Sequence, residues 1–256
     1  MTEFVIAISA LFGLLIGSFL NVVIWRVPRR ESIVAPPSRC PGCDQLIRPY
    51  DNIPVLSWLI LRGKCRDCKT KISVRYPLVE AGTAILWGLL AWRFAGSWAL
   101  PAYLVLAAGL MVLSLIDLDT FLLPNRIVYP LTVVVTVLFG AAGVLDGGVG
   151  DFRRALLCGL GVSAVFLLLH LISPRGMGFG DVKFSFVLGL SLGWVSPATA
   201  FLGIFMGFLL GSIIGIGLIA AKVKTRKDHV PFGPFMALGA VTALLLGPQI
   251  LSLLNQ

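Results

Sequence analysis

Residues 4–30 read FVIAISALFGLLIGSFLNVVIWRVPRR, and the charges around this apolar run decide how the chain is folded. Met1-Thr2-Glu3 brings no basic group before the run, whereas Arg26, Arg29 and Arg30 follow it. A cleaved secretory signal has the opposite polarity. The stretch from Phe4 to Trp25 therefore reads as a retained membrane helix, its N-terminus outside and its basic end in the cytoplasm. The rest of the composition agrees. Of the 256 residues 57% are hydrophobic and only 13% charged, a balance that excludes an ordinary soluble domain. The net charge of +9 does not signal nucleic-acid binding, because the basic residues gather in loops instead of lining one face.

Further apolar runs lie at about 78–95, 99–116, 127–145, 154–172, 182–195, 198–221 and 232–253. Those at 78–95 and 182–195 are short or broken. The expectation is an all-α polytopic membrane protein of about eight transmembrane helices. It divides into a first transmembrane helix (1–25), a polar, Pro-rich cytoplasmic loop domain (26–77) and a seven-helix membrane domain (78–256). Basic residues test that count. With the N-terminus outside, the loops expected in the cytoplasm hold 18 of the 21 Lys and Arg, leaving Arg93, Arg153 and Arg154 outside. Both termini are then outside.

Asp181, in Gly176-Met177-Gly178-Phe179-Gly180-Asp181, sits where an apolar run begins. A charged residue near hydrocarbon is costly and calls for a partner or a wet cavity. Asp117 and Asp119, in Leu115-Ile116-Asp117-Leu118-Asp119, end another run on the same predicted side. Two carboxylates sharing one proton can split a peptide bond: one activates water while the other polarises the carbonyl. Asp117 and Asp119 point to different faces of a helix, and spacing alone does not choose between them. Leu123-Pro124-Asn125 marks the break that follows. The glycines at 176, 178 and 180 do not match a dinucleotide fingerprint. They either admit a substrate backbone or form a hinge. His170 and His229 lack a Ser or Cys partner motif and read as solvated or capping residues. Lys183 reads as a snorkelling charge.

Five cysteines occur, four of them as Cys40-x2-Cys43 and Cys65-x2-Cys68. Two such turns can complete a tetrahedral four-thiolate zinc shell with no open position. Redox pairs or disulfides are the alternative, disfavoured in the cytoplasm. Metal binding would supply much of the folding free energy of so short a loop. Cys158, inside an apolar run, reads as a small buried hydrophobe. Glycines 203, 207, 211 and 215, four apart, give one run a smooth face for close helix packing.

These features fall into a series of blocks: Gly17-Ser18-Phe19-Leu20-Asn21-Val22-Val23-Ile24-Trp25-Arg26, the paired cysteines, Tyr50-Asp51-Asn52-Ile53-Pro54-Val55, Gly63-Lys64, Arg75-Tyr76-Pro77-Leu78-Val79-Glu80, Asp117-x-Asp119, and Gly178-Phe179-Gly180-Asp181-Val182-Lys183. In this order they resemble the bacterial prepilin peptidases, leader peptidases and N-methyltransferases of the GxGD aspartyl protease group. The resemblance implies that Asp117 and Asp181 form the catalytic pair and that Cys40, Cys43, Cys65 and Cys68 bind zinc. It implies type IV prepilin or pseudopilin substrates, cut at the cytoplasmic face of the bacterial inner membrane. Methylation of the new N-terminus by S-adenosylmethionine is also implied. The loop is too short for a Rossmann-type methyltransferase, and no role is assigned to Gly63, Glu80 or Asp119. A peptidase without methyl transfer, and a zinc-ribbon assembly or transport protein, are the alternatives.

Overall fold

The computed structural model describes residues 1–174, 176–223, 225 and 230–254. His229 lies outside them. The chain packs as two units, 1–95 and 96–256.

In the first unit, α1 (Thr2–Arg26) carries the opening apolar run, α2 (Leu56–Ile60) is a single turn, and α3 (Arg75–Phe94) returns along α1. Glycine sets the spacing of the long pair. A Cβ at Gly13 would lie 2.7 Å from the Ala84 Cα, and one at Gly17 2.7 Å from the Glu80 Cα. Asn21 Nδ2 donates to the Tyr76 carbonyl at 3.2 Å. The contacts advance along α1 as they retreat along α3, so the helices are antiparallel. Small residues permit this approach where no hydrophobic effect drives helices together in lipid. At the end of α1, Arg26 donates to the carbonyls of Ser32 and Pro36 and turns the chain into the polar loop.

The second unit contains α4 (Leu100–Thr120), α5 (Asn125–Leu145), α6 (Val149–Ile172), α7 (Phe179–Val195), α8 (Pro197–Ala220) and α9 (Gly233–Leu254). The core is α7, packed by α5, α6, α8 and α9. It is apolar all round and buried from Phe184 to Ser185 and from Val187 to Gly193, as expected of a helix enclosed by others. Tyr103 of α4 donates to the Ser191 carbonyl at 3.0 Å, and its ring meets Phe139 edge-on while Phe139 stacks on Trp194. Arg154 of α6 caps α7, donating to the carbonyls of Gly193, Trp194 and Val195 while paired with Asp151. Cys158 is half-buried and packs where Gly193 and Gly189 leave room. The smooth face of α8 holds for its first three glycines. Gly203, Gly207 and Gly211 lie against α9 or the chain entering it, whereas Gly215 and Gly217 face open space.

Among the described residues a helix forms at each of the eight apolar runs. Among the described residues six of them are long and apolar enough to cross a membrane. The two that fall short are α3, which carries Arg75, Glu80 and Arg93, and α7, with 17 residues. An α7 wrapped by its neighbours has little need of an apolar length matched to lipid. The outward faces are apolar: Leu11, Phe12 and Leu15 on α1, Val133 and Val137 on α5, and Phe201, Ile213 and Ile216 on α8 are exposed. Surfaces of that size do not persist in water, and here they mark a multi-pass membrane protein.

Candidate active site and metal centre

Asp117 lies inside α4, one turn before its end. The helix stops at Thr120 because Phe121 adopts the left-handed conformation, φ +55°, with its N–H bonded to the Asp117 carbonyl. Asp117 faces inward, 5% exposed, and Asp119 lies on the exposed side. The Asp117 carboxylate accepts the Gly233 N–H at 2.9 Å, from the first residue of α9. Pro234 follows as the second helical residue, where a missing N–H costs nothing.

Asp181 is in the first turn of α7 and is 8% exposed. Its Oδ2 accepts the Gly178 N–H at 3.1 Å, and its own N–H donates back to the Gly178 carbonyl at 3.0 Å. A carboxylate there also faces the positive end of the helix dipole. Asp117 and Asp181 are linked by a shared neighbour. Leu123, just past α4, explains how the two come near each other. A Cβ added at Gly180 would lie 3.0 Å from the Leu123 Cβ, and one at Gly233 3.4 Å from its Cδ2. Leu123 thus wedges between the starts of α7 and α9, each of which presents a glycine to it. Gly180 serves close packing, and Gly178 is an extended N-cap residue, φ −68°. Neither takes a left-handed conformation.

Around this pair, Lys183 donates to the Asn125 side chain and lies 5.6 Å and 5.1 Å from the ring centres of Tyr129 and Phe179. It ties the start of α5 to the start of α7, more than a snorkelling charge would do. His170 Nδ1 is 2.8 Å from the Met177 carbonyl, a bond that holds the turn before α7.

In the first unit the four paired cysteines converge. The sulfurs of Cys40, Cys43, Cys65 and Cys68 all lie within 4.8 Å of one another, with Cys40 and Cys68 3.7 Å apart. A tetrahedral zinc with Zn–S of about 2.3 Å requires sulfur–sulfur edges of about 3.8 Å, so the residues fit the ion. The two cysteine turns are copies of each other, 25 residues apart. Cys40 N–H donates to Gln45 O as Cys65 N–H does to Thr70 O, and Asp44 N–H donates to Cys40 O as Lys69 N–H does to Cys65 O. Arg39 pairs with Leu46 as Lys64 does with Lys71, and Asp44 and Lys69 both have positive φ. Cys68 Sγ lies 3.1 Å from the Thr70 hydroxyl. Outside the cluster, Arg66 grips Asp51 through Nε and Nη2, and the Asp51 carboxyl is held below the usual range by that guanidinium.

Comparison with known proteins turns this geometry into a family assignment. Residues 11–94 match the bacterial peptidase A24 N-terminal domain, and residues 104–218 match the type IV leader peptidase family. A prepilin leader peptidase/N-methyltransferase of Pseudomonas aeruginosa is 39% identical, covering 94% of this chain and 90% of that protein. The chain belongs to the type IV leader peptidase family. Proteins of the same name from Stutzerimonas stutzeri and Bacillus subtilis are 38% and 34% identical, covering 94% and 96% of this chain and 91% and 96% of theirs. No solved structure matches. The family match to 104–218 ends before Gly233, the residue that holds Asp117, and nothing in the sequence reading pointed to that glycine. Its signal was Gly233-Pro234, a helix start placed immediately after a polar loop.

Proposed function

We propose that this protein removes the leader peptide of type IV prepilins or pseudopilins at the cytoplasmic face of the bacterial inner membrane, and then methylates the new N-terminus. Asp117 and Asp181 are the catalytic dyad. The observation that carries this reading is two buried carboxylates, brought by α4 and α7 to the surroundings of Leu123 and each held by a backbone N–H. The dyad holds one proton. Its ionised member draws a proton from water as that water attacks the scissile carbonyl, and the protonated member donates to the carbonyl oxygen. The Gly233 and Gly178 N–H groups keep both carboxylates aimed throughout. Asp119, on the exposed side of α4, takes no part in the chemistry.

In this reading the chain crosses the membrane eight times, with α3 and α7 as the short spans and both termini outside. Residues 26–77 form the cytoplasmic zinc-binding domain between the first helix (1–25) and the dyad-bearing remainder (78–256). Cys40, Cys43, Cys65 and Cys68 would hold a structural zinc ion, which supplies a cross-link and no open coordination position. S-adenosylmethionine supplies the methyl group when bound. Among the described residues only isolated β-bridges occur and no sheet, so a Rossmann-type donor site is not built here.

Co-expression with a prepilin tests the peptidase. Wild type and Asp119→Asn are expected to shorten it, while Asp117→Asn and Asp181→Asn insert normally and leave it full length. Cleavage by either dyad variant overturns the assignment. An unmethylated pilin N-terminus from active wild-type enzyme removes the second activity alone.

A further inference from the structure

Three acidic side chains are buried among the described residues: Asp117, Asp181 and Glu80. The peptidase uses the first two. Glu80 belongs to the first unit, in the second turn of α3, and is 8% exposed. Its Oε2 accepts the Val55 N–H at 2.7 Å, and the Ser18 hydroxyl lies beside the same carboxyl. Both groups are neutral. No ion pair among the described residues includes Glu80. Burying a carboxylate without a countercharge is expensive, and neutral donors offset only part of the cost.

The surroundings are built around that group. Gly17 brings α1 so close that a Cβ there would lie 2.7 Å from the Glu80 Cα. Val55 stands at φ +62°, ψ −51°, a conformation β-branched residues almost never adopt, and this turn aims its N–H at Glu80. Such strain persists only where the surroundings over-determine it. Three separate stretches, Gly17-Ser18, Pro54-Val55 and Glu80, thus converge on one carboxylate whose local positive partner is missing.

We propose that Glu80 receives the α-ammonium group of the cleaved pilin and is the base for its methylation. This rests on the methyltransferase reading above. Leader cleavage leaves an α-amine with an ordinary pKa of about 7.7–8.0, largely protonated at neutral pH and unable to attack. Glu80 accepts a hydrogen bond from this ammonium and takes one proton. The nitrogen lone pair then forms the N–CH3 bond as the donor's S–CH3 bond breaks, its electron pair remaining on sulfur. The cation supplies the countercharge that Glu80 lacks.

Glu80→Gln separates charge from structure, because the amide oxygen still accepts from Val55. Full-length protein in lipid nanodiscs is titrated with a peptide copying the mature pilin N-terminus, with its α-amine free or acetylated. Wild type is expected to bind the free amine about 10- to 100-fold more tightly, the range of a charge-assisted hydrogen bond, and E80Q to bind the two alike. Methylation of pre-cleaved pilin, read by mass spectrometry, falls about 100-fold or more in E80Q. Prepilin cleavage by the same preparation stays within about twofold. Glu80→Asp, which keeps the charge, retains more methylation than E80Q. An E80Q protein that still prefers the free amine, or methylates at the wild-type rate, overturns the proposal. So does joint loss of cleavage and methylation, or better methylation by E80Q than by E80D, since either marks Glu80 as a structural latch. Wild-type protein that prefers the free amine yet never methylates overturns the methyltransferase reading and leaves the amine site standing.

Discussion

Replacing Gly233 with alanine probes the dyad without touching either carboxylate. The added methyl would lie 2.8 Å from Asp117 Oδ2 and 3.4 Å from the Leu123 Cδ2. No real Cβ sits that close to an oxygen, so something must move, and the freest element is the carboxylate itself. Rotating it away forfeits the 2.9 Å bond from the Gly233 N–H. A hydrogen bond to a charged group contributes about 1.5–3 kcal/mol. If the transition state relies on that bond, kcat/KM for prepilin cleavage drops about 10- to 150-fold. The assay is cleavage of purified prepilin by enzyme in nanodiscs, over a substrate series that separates kcat from KM. The loss is expected in kcat, since Gly233 aims a reacting group and does not line the path of the leader. Gly215→Ala is the control, because a Cβ there meets nothing within 4 Å and should leave the rate unchanged. A folded Gly233→Ala enzyme with wild-type kcat refutes the claim that this N–H positions Asp117.

Two further outcomes follow from the same structure. Purified protein is expected to carry about one zinc per chain by elemental analysis, and Cys40→Ser or strong chelation to release it and open residues 38–72 to protease; metal-free protein with intact cysteines and unchanged protease resistance contradicts the site. Arg154→Ala removes the guanidinium that holds the last carbonyls of α7, so thermal unfolding in detergent should show a destabilisation of about 1–3 kcal/mol with the catalytic rate of the surviving folded enzyme unchanged.

The membrane class, the helices at the apolar runs and the clustering of the paired cysteines were legible in the chain because each rests on local chemistry. A run of apolar residues must be helical in lipid, where no water satisfies the backbone. A Cys-x-x-Cys turn presents two sulfurs to one point whatever surrounds it. Asp117, Asp119 and Asp181 also stood out as expensive residues at apolar boundaries. Spacing could say that Asp117 and Asp119 face different ways. It could not say which way is in, since that depends on what packs against α4.

Tertiary structure supplied that answer. Asp117 is the inward residue because Gly233 of α9 donates to it and Leu123 fills the gap beside it. Partners 116 residues apart leave no periodic signal. Glu80 is the second case, where Ser18, Val55 and a glycine-tight helix pair meet at a carboxylate that in sequence looks like any other on a helix. The opening run, FVIAISALFGLLIGSFLNVVIWRVPRR, marked by itself a membrane helix and predicted which way round it lies, because hydropathy and flanking charge act on the segment directly. That Gly13 and Gly17 in the same run hold α1 tight against α3, and thereby frame Glu80, was decided only by the fold, because a glycine's use depends on the atoms that come to lie against it.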